Sequence, residues 1–171
     1  MNTSNNYKFD IRPIKKSDQD IVLSMRNSPY VRSAMINDII ISEKDHDIWF
    51  SNMLSDQSKD FYIFEVDNKT QGVAGFFNIN KDKADWTFYL KNALSSKGLG
   101  RIMCKMALNK FFDKHETTKI ITQVKSDNIS SVKVHEKLGF QKDMDYSENS
   151  DHITLFVLEK KGWIALRETL D

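Results

Sequence analysis

The sequence predicts a mixed α/β (α+β) domain, a sheet with helices on both faces, on three observations. Short stretches that alternate apolar and polar residues recur as far as Leu90. A glycine-spaced turn at Gly98 and Gly100 then opens a stretch with apolar residues at helical spacing. Strand-like and helix-like patterns alternate from there to the end of the chain.

Phe9-Asp10-Ile11-Arg12-Pro13-Ile14 alternates and reads as the first strand, with Pro13 suited to an edge or exit. Ser17 can cap a helix running to Asn27, with Ile21, Val22 and Met25 on one face. Ser28-Pro29 stops it, and Val31 to Ile41 fits a short helix or a loop equally. Ser42 opens a second helix, with Asp45 as a partial capping box and Ile48, Trp49, Phe50 and Met53 as its apolar face.

Phe61 to Val66 is a strand, and Asp67 to Gln71 has turn chemistry. Gly72 to Ile79 is the returning strand, in which Gly75 signals a bulge or a close backbone approach. After a turn at Asn80 to Lys83 comes Ala84 to Leu90, with Trp86, Phe88 and Leu90 on one face and Thr87 and Tyr89 on the other. These three strands form an antiparallel meander. Leu99, Ile102, Met103, Met106, Leu108 and Phe111 mark a helix, and Lys119 to Val124 a short buried strand. Asn128 begins a helix closed by Gly139. Gln141 to Asp151 fits strand and loop, His152 to Leu158 is a last clear strand, and Gly162 to Leu170 fits a short helix.

With 171 residues, 40% hydrophobic and 29% charged, the chain reads as one domain over 1–171 with a flexible polar tail at 1–6. A net charge of +1 speaks against nucleic acid and anionic membranes as partners. There is no apolar run of the roughly 18 residues a span needs, and no apolar signal core, so the cytoplasm is expected. Cys104 is the one cysteine, which precludes an intrachain disulfide, and its apolar helical setting suits core packing.

The chemistry sits between Lys97 and Phe140. A helix that opens behind two glycines presents bare N–H groups to an anion. Gly98 and Gly100 allow close approach, the N–H groups from Leu99 onward point outward, and Lys97 and Arg101 add charge. Lys105 suits either that cluster or a solvated helix face. At Ser95-Ser96-Lys97-Gly98-Leu99-Gly100 the chain resembles the GNAT superfamily of N-acetyltransferases, whose phosphate loop reads Gln/Arg-x-x-Gly-x-Gly/Ala. Ser95 departs from that pattern, while Gly98 and Gly100 match it. Asn128 to Phe140 resembles the family's Asn-x-x-Ala-x-x-Leu-Tyr-x-x-x-Gly-Phe.

The resemblance implies the GNAT fold, a mixed, mostly antiparallel sheet with splayed central strands, here Ala84–Leu90 and Lys119–Val124. It implies an enzyme with acetyl-CoA as co-substrate and no metal. A backbone N–H on the first splayed strand would polarise the thioester carbonyl. Asn128 and Ser131 would lie beside the coenzyme, although Asn128 also suits a plain helix cap. His135 stands at the tyrosine that protonates the leaving thiolate, as a proton donor or as a helix residue beside the coenzyme. Histidine would be roughly one-quarter protonated at pH 7, and the neutral ring can still offer an N–H.

Met25-Arg26-Asn27, Val31-Arg32, Met35, Ile41-Ser42, His46 and Trp49 resemble a narrower group, the amino-sugar nucleotide N-acetyltransferases of the pseudaminic-acid type. That resemblance implies a small-molecule amine, the 4-amino group of a nucleotide-linked amino sugar. Arg32 and His46, assisted by Arg26, suit the cations its diphosphate needs, and Tyr89 is a further acceptor-side candidate; Tyr89, Asn78 and Ser126 are candidate polar members of a water relay at the amine. A surface ion pair for Arg26 and aromatic packing for His46 are the plain alternatives. Ribosomal-protein N-terminal acetyltransferases share the layout loosely, and a non-catalytic acyl-CoA-binding module is the alternative of another class. A sugar amine with a pKa near 7.7–8.0 needs no strong base, so none is assigned. A homodimer is compatible with the sequence.

Overall fold

A computed structural model of the chain describes residues 7–91 and 98–170. Strands β1 (Phe9–Pro13), β2 (Asp60–Val66), β3 (Lys69–Phe77), β4 (Lys83–Leu90), β5 (Lys119–Lys125), β6 (Gln141–Glu148) and β7 (Asp151–Glu159) form one sheet in the order β1-β2-β3-β4-β5-β7-β6. Every neighbouring pair is antiparallel except β4 and β5.

Turn residues explain the hairpins. Asp67 and Asn68 take φ of 50° and 60°, the left-handed pair that a two-residue hairpin turn needs and that Asp and Asn tolerate. β3 therefore starts at Lys69, three residues earlier than Gly72. Asn149 (φ 49°) and Ser150 (φ 72°) make the same kind of turn between β6 and β7. Gly75 reflects close approach, not a bulge. A Cβ there would collide with the ring of Phe61, and the register shift falls at Phe64/Glu65 instead.

The helices are α1 (Gln19–Asn27), α2 (Pro29–Ala34), α3 (Glu43–Ser55), α4 (Leu99–Lys114), α5 (Ile129–Lys137) and α6 (Lys160–Leu166). Ser17 sits in a 3-10 turn at Lys16–Asp18 and does not cap α1. The Asp18 carboxylate holds this corner instead, accepting from the Lys15 N–H at 2.8 Å and from both terminal nitrogens of Arg12 at 2.8 and 2.9 Å. Ser28 ends α1 and also caps α2, accepting from the Val31 N–H, with Pro29 in the first turn. Ser42 caps α3 as expected, accepting from the Asp45 N–H at 3.1 Å.

The buried face of α3 is His46, Phe50 and Met53. These follow the i, i+4, i+7 line, which leaves Ile48 on the far side at 53% exposure and Trp49 on the rim.

Two apolar layers cover the sheet. On one face Phe64, Phe76, Trp86 and Phe156 pack under α4 and α6, with Phe76 and Phe111 stacked at 4.1 Å. On the other face Phe61, Ile63 and Val73 meet Val22 and Met25 of α1 and Phe50 and Met53 of α3. β2 serves both layers by strand alternation. Cys104 lies fully buried in the first layer, where burial raises its thiol pKa well above the ordinary value.

Candidate active site

β4 and β5 pair at only three positions, from Lys83↔Lys119 to Asp85↔Ile121. Beyond Asp85 the two strands have no ladder between them. Lys91 donates its N–H to Gln71 O on the β3 side at 2.7 Å. Strand alternation then turns the N–H groups of Phe88 and Leu90 toward the gap. The cleft that results has a volume of about 1060 Å³. It is lined from β4 by Asp85 to Leu90 and from β5 by Ile121 to Val124.

At one mouth lies the start of α4. Gly98 is its N-cap residue, with φ 75° and no side-chain cap among the described residues. That left-handed conformation favours glycine, and no atom of the described residues lies within 4 Å of where a Cβ would be. A Cβ on Gly100 would make only ordinary contacts, at 3.8 Å to Leu90 and 3.9 Å to Val134. Among the described residues the two glycines thus leave an open cradle over the first turn, with N–H groups that no side chain there caps. Gly98, Gly100 and Arg101 line the cleft. The Leu99 side chain does not; it is 6% exposed and packs in the core, so only its backbone faces the cradle. Lys97 and Ser95 lie outside the described residues.

Across from this turn, the Asn128 side chain accepts from the Ser131 N–H at 3.1 Å, and both residues line the cleft. Capping and cleft lining therefore hold together for Asn128. Lys133 and Lys137 of α5 line it too. Nothing in the sequence marks them except their i, i+4 spacing on the helix that Asn128 opens.

His135 reaches the cleft floor but is 1% exposed. Its Nδ1 donates to Ser131 O at 2.8 Å, and its Nε2 accepts from Trp86 Nε1 at 3.3 Å. Burial pushes its pKa down to about 4, with the bond to Ser131 opposing. The ring is neutral at pH 7 and its one N–H is already given away. An N–H from the neutral ring for a leaving group, the sequence-based expectation, is not what this bonding provides.

The other mouth is walled by α1, α2 and the segment after it. Arg26 Nη2 donates to Asn37 O at 3.0 Å, while Nη1 is buried without a hydrogen-bond partner among the described residues. Tyr89 lines the cleft beside it, its hydroxyl pKa raised by burial and partly offset by the Arg26 charge. Among the described residues, Arg26 is the one charged side chain this wall contributes to the lining. Tyr30, Met35, Ile36 and Asn37 join it, from a stretch whose sequence fits helix or loop equally.

Two expected acceptor residues lie elsewhere. Arg32 is paired with Asp38 at 2.7 Å, outside the lining. His46 is 3% exposed, bonded to Gln19 O at 2.9 Å and packed on Trp49 and Phe50. Asn78 is bonded to Asp85 at 2.6 Å and Ser126 to Thr154 at 2.9 Å, both also outside the lining. Among the described residues no group of three His, Cys, Asp or Glu side chains is placed to hold a metal ion. No helix among them is long and apolar enough to cross a membrane.

The chain resembles a spermidine N-acetyltransferase from Vibrio cholerae, solved with CoA and spermine, at TM-score 0.83 and 15% identity over 91% of this chain and 98% of that one. Aminoglycoside acetyltransferase AAC(6')-Ib with coenzyme A gives TM-score 0.79 and 17% identity over 94% and 99%. At these identities the likeness is one of fold. The prophage-derived uncharacterized N-acetyltransferase YokL of Bacillus subtilis is 31% identical over 97 residues, 56% of this chain and only 55% of that protein. Acetyltransferase PseH of Campylobacter jejuni is 24% identical over 144 residues, 83% of this chain and 88% of that protein. The model of the acetyltransferase (GNAT) domain matches residues 8–141, which contain the splayed strands, the glycine cradle and α5. The chain belongs to the GNAT acetyltransferase family.

Proposed function

We propose that this acetyltransferase moves acetyl from acetyl-CoA to a primary amine on an anionic small molecule, the 4-amino group of a nucleotide-linked amino sugar. The observation that carries this is one cleft crossing the sheet, with an uncapped helix start at one mouth and the unpartnered Arg26 nitrogen at the other.

The donor side fits the coenzyme. The cradle at Gly98 and Gly100 lets the first-turn N–H groups approach a diphosphate, and the helix dipole favours that charge by up to about 2 kcal/mol. Arg101, Lys133 and Lys137 add positive charge along the same edge. Acetyl-CoA supplies the thioester carbonyl that the amine attacks. The N–H groups of Phe88 and Leu90 are oriented to donate to its oxygen as charge develops there.

On the acceptor side, charge separates the alternatives. Spermidine and aminoglycosides are polycations and call for carboxylates in the wall that receives them. Here that wall lines the cleft with Arg26 and no carboxylate among the described residues; the carboxylates on the lining, Asp85 of β4, which accepts from Asn78, and Asp127 beside Asn128, lie outside it. An acceptor oxygen carrying negative charge would satisfy Arg26 Nη1, which otherwise stays a buried, unpaired donor. The stretch Met25-Arg26-Asn27, by its resemblance to the amino-sugar nucleotide N-acetyltransferases, supports a nucleotide-linked sugar.

Free-thiol release with a panel of amines tests the acceptor. Release is expected with nucleotide-linked 4-amino sugars and not with spermidine or an aminoglycoside. Release only with peptides or polyamines would refute the acceptor. Acetyl-CoA at a hundredfold excess over Kd should add about 2.7 kcal/mol of stability, and no thermal shift would overturn the donor site.

A further inference from the structure

Resting on the acetyltransferase reading, we infer that His135 is a positioning residue that fastens α5 to β4 at the cleft floor and gives no proton to the leaving sulfur. Two one-way partners fix its tautomer. An indole N–H only donates and a carbonyl only accepts. With Trp86 donating to Nε2 and Nδ1 donating to Ser131 O, both ring nitrogens are used. To act as an acid from Nε2, the ring would need a proton there, facing the Trp86 N–H.

The surroundings oppose that charge. The ring stacks on Phe156 of β7 at 5.4 Å and stands edge-on to Phe140 at 4.9 Å. Trp86 and Phe88 of β4 complete the enclosure. None of these ring neighbours is ionised. The same bonds explain what the histidine does achieve. Trp86 directly follows Asp85, the last residue of β4 paired with β5, at the point where the strands begin to part, and its carbonyl accepts from Thr122 Oγ1 of β5 at 3.4 Å. His135 ties the helix carrying Asn128, Ser131 and Lys133 to that point, so the two sides of the coenzyme channel keep one spacing.

The transfer balances without an acid from this residue. The neutral amine forms the C–N bond, the C–S bond breaks with its electron pair going to sulfur, and the proton shed by nitrogen matches the one sulfur takes up through solvent. A thiol with a pKa near that of cysteine, about 8.5, is a leaving group that tolerates this route.

The test compares wild type with His135→Gln, His135→Phe and Trp86→Phe, using any amine of the panel that wild type acetylates. A glutamine amide can accept from Trp86 and donate to Ser131, yet it does not titrate. His135→Gln should keep kcat within about threefold, with an unchanged pH–kcat profile. His135→Phe and Trp86→Phe should each raise KM for acetyl-CoA about 3- to 10-fold, and the double variant should be no worse than the worse single one. A roughly hundredfold or larger fall in kcat for His135→Gln, with KM unchanged and a limb of the pH profile lost, would overturn the inference and make His135 the acid.

If His135→Gln fails to fold, Trp86→Phe decides. Positioning raises its KM, whereas an acid freed at Nε2 keeps or raises kcat. Acetyl-CoA affinity by calorimetry needs no acceptor. Weaker binding by His135→Phe but not by His135→Gln supports the inference even if the proposed sugar is wrong, and equal affinity in all three contradicts it.

Discussion

The two mouths of the cleft are built by opposite means. The donor mouth is mostly backbone: a left-handed glycine at 98, an uncapped first turn of α4, and strand N–H groups left over where β4 and β5 part. The acceptor mouth is mostly side chain. Between α2 and α3, residues 35–42 have no regular structure. They are held by Arg26 to Asn37 O, by both ends of the Asn27 amide to Ile41, and by Arg32 to Asp38. Backbone suits the diphosphate of the proposed coenzyme, and side chains on a tied loop leave room for the acceptor to vary.

Acid should break the donor side first, and this is the largest effect expected. His135 takes up a proton near pH 6.5 when unfolded but only near pH 4 in the fold. Between those values the unfolded chain binds more protons. Stability is therefore full above about pH 6.5 and falls as pH drops toward 4, by on the order of 3 kcal/mol. Urea melts from pH 7 to 4 should show that slope in wild type and a flatter one in His135→Gln. Asp18 and Asp145, whose pKa values are lowered below 3.8 chiefly by bonds to Arg12 and Lys142, lose their contribution only at lower pH.

Gly98→Val should cost about 1–2 kcal/mol of backbone strain at the α4 start, where φ is 75°. Acetyl-CoA affinity should fall about tenfold or more while acceptor KM stays within twofold. Equal loss on both substrates would dissolve the division between the mouths. Asn27→Ala is the mirror case and the smaller one. Losing its two bonds to Ile41 should cost about 1 kcal/mol and raise acceptor KM with acetyl-CoA KM unchanged.

The same division explains what was legible in the sequence. Gly98 and Asn128 are readable because local backbone geometry calls for them, a left-handed residue before α4 and a cap before α5, and the structure sets both on the cleft with Gly100. The splay of β4 from β5 was legible only through family resemblance, since both strands carry ordinary alternation. β6 was half legible, because it is exposed along nearly its whole length and shows no apolar face. Arg32 and His46 are the right residue types for an anionic acceptor, but their partners are distant in sequence. Asp38 and the Gln19 carbonyl claim them, and no local pattern announces that. Arg26 differs only in that one nitrogen finds no partner, a fact of the packed fold alone.

The most direct test of the paired mouths is kcat/KM for a nucleotide-linked amino sugar and for spermidine, in wild type and in Arg26→Gln. Wild type should favour the anionic acceptor. Arg26→Gln should lower kcat/KM for it about 10- to 150-fold, the worth of one charge-assisted hydrogen bond, with acetyl-CoA KM unchanged. A wild-type preference for spermidine, or an Arg26→Gln variant as active as wild type on the nucleotide sugar, would contradict the account.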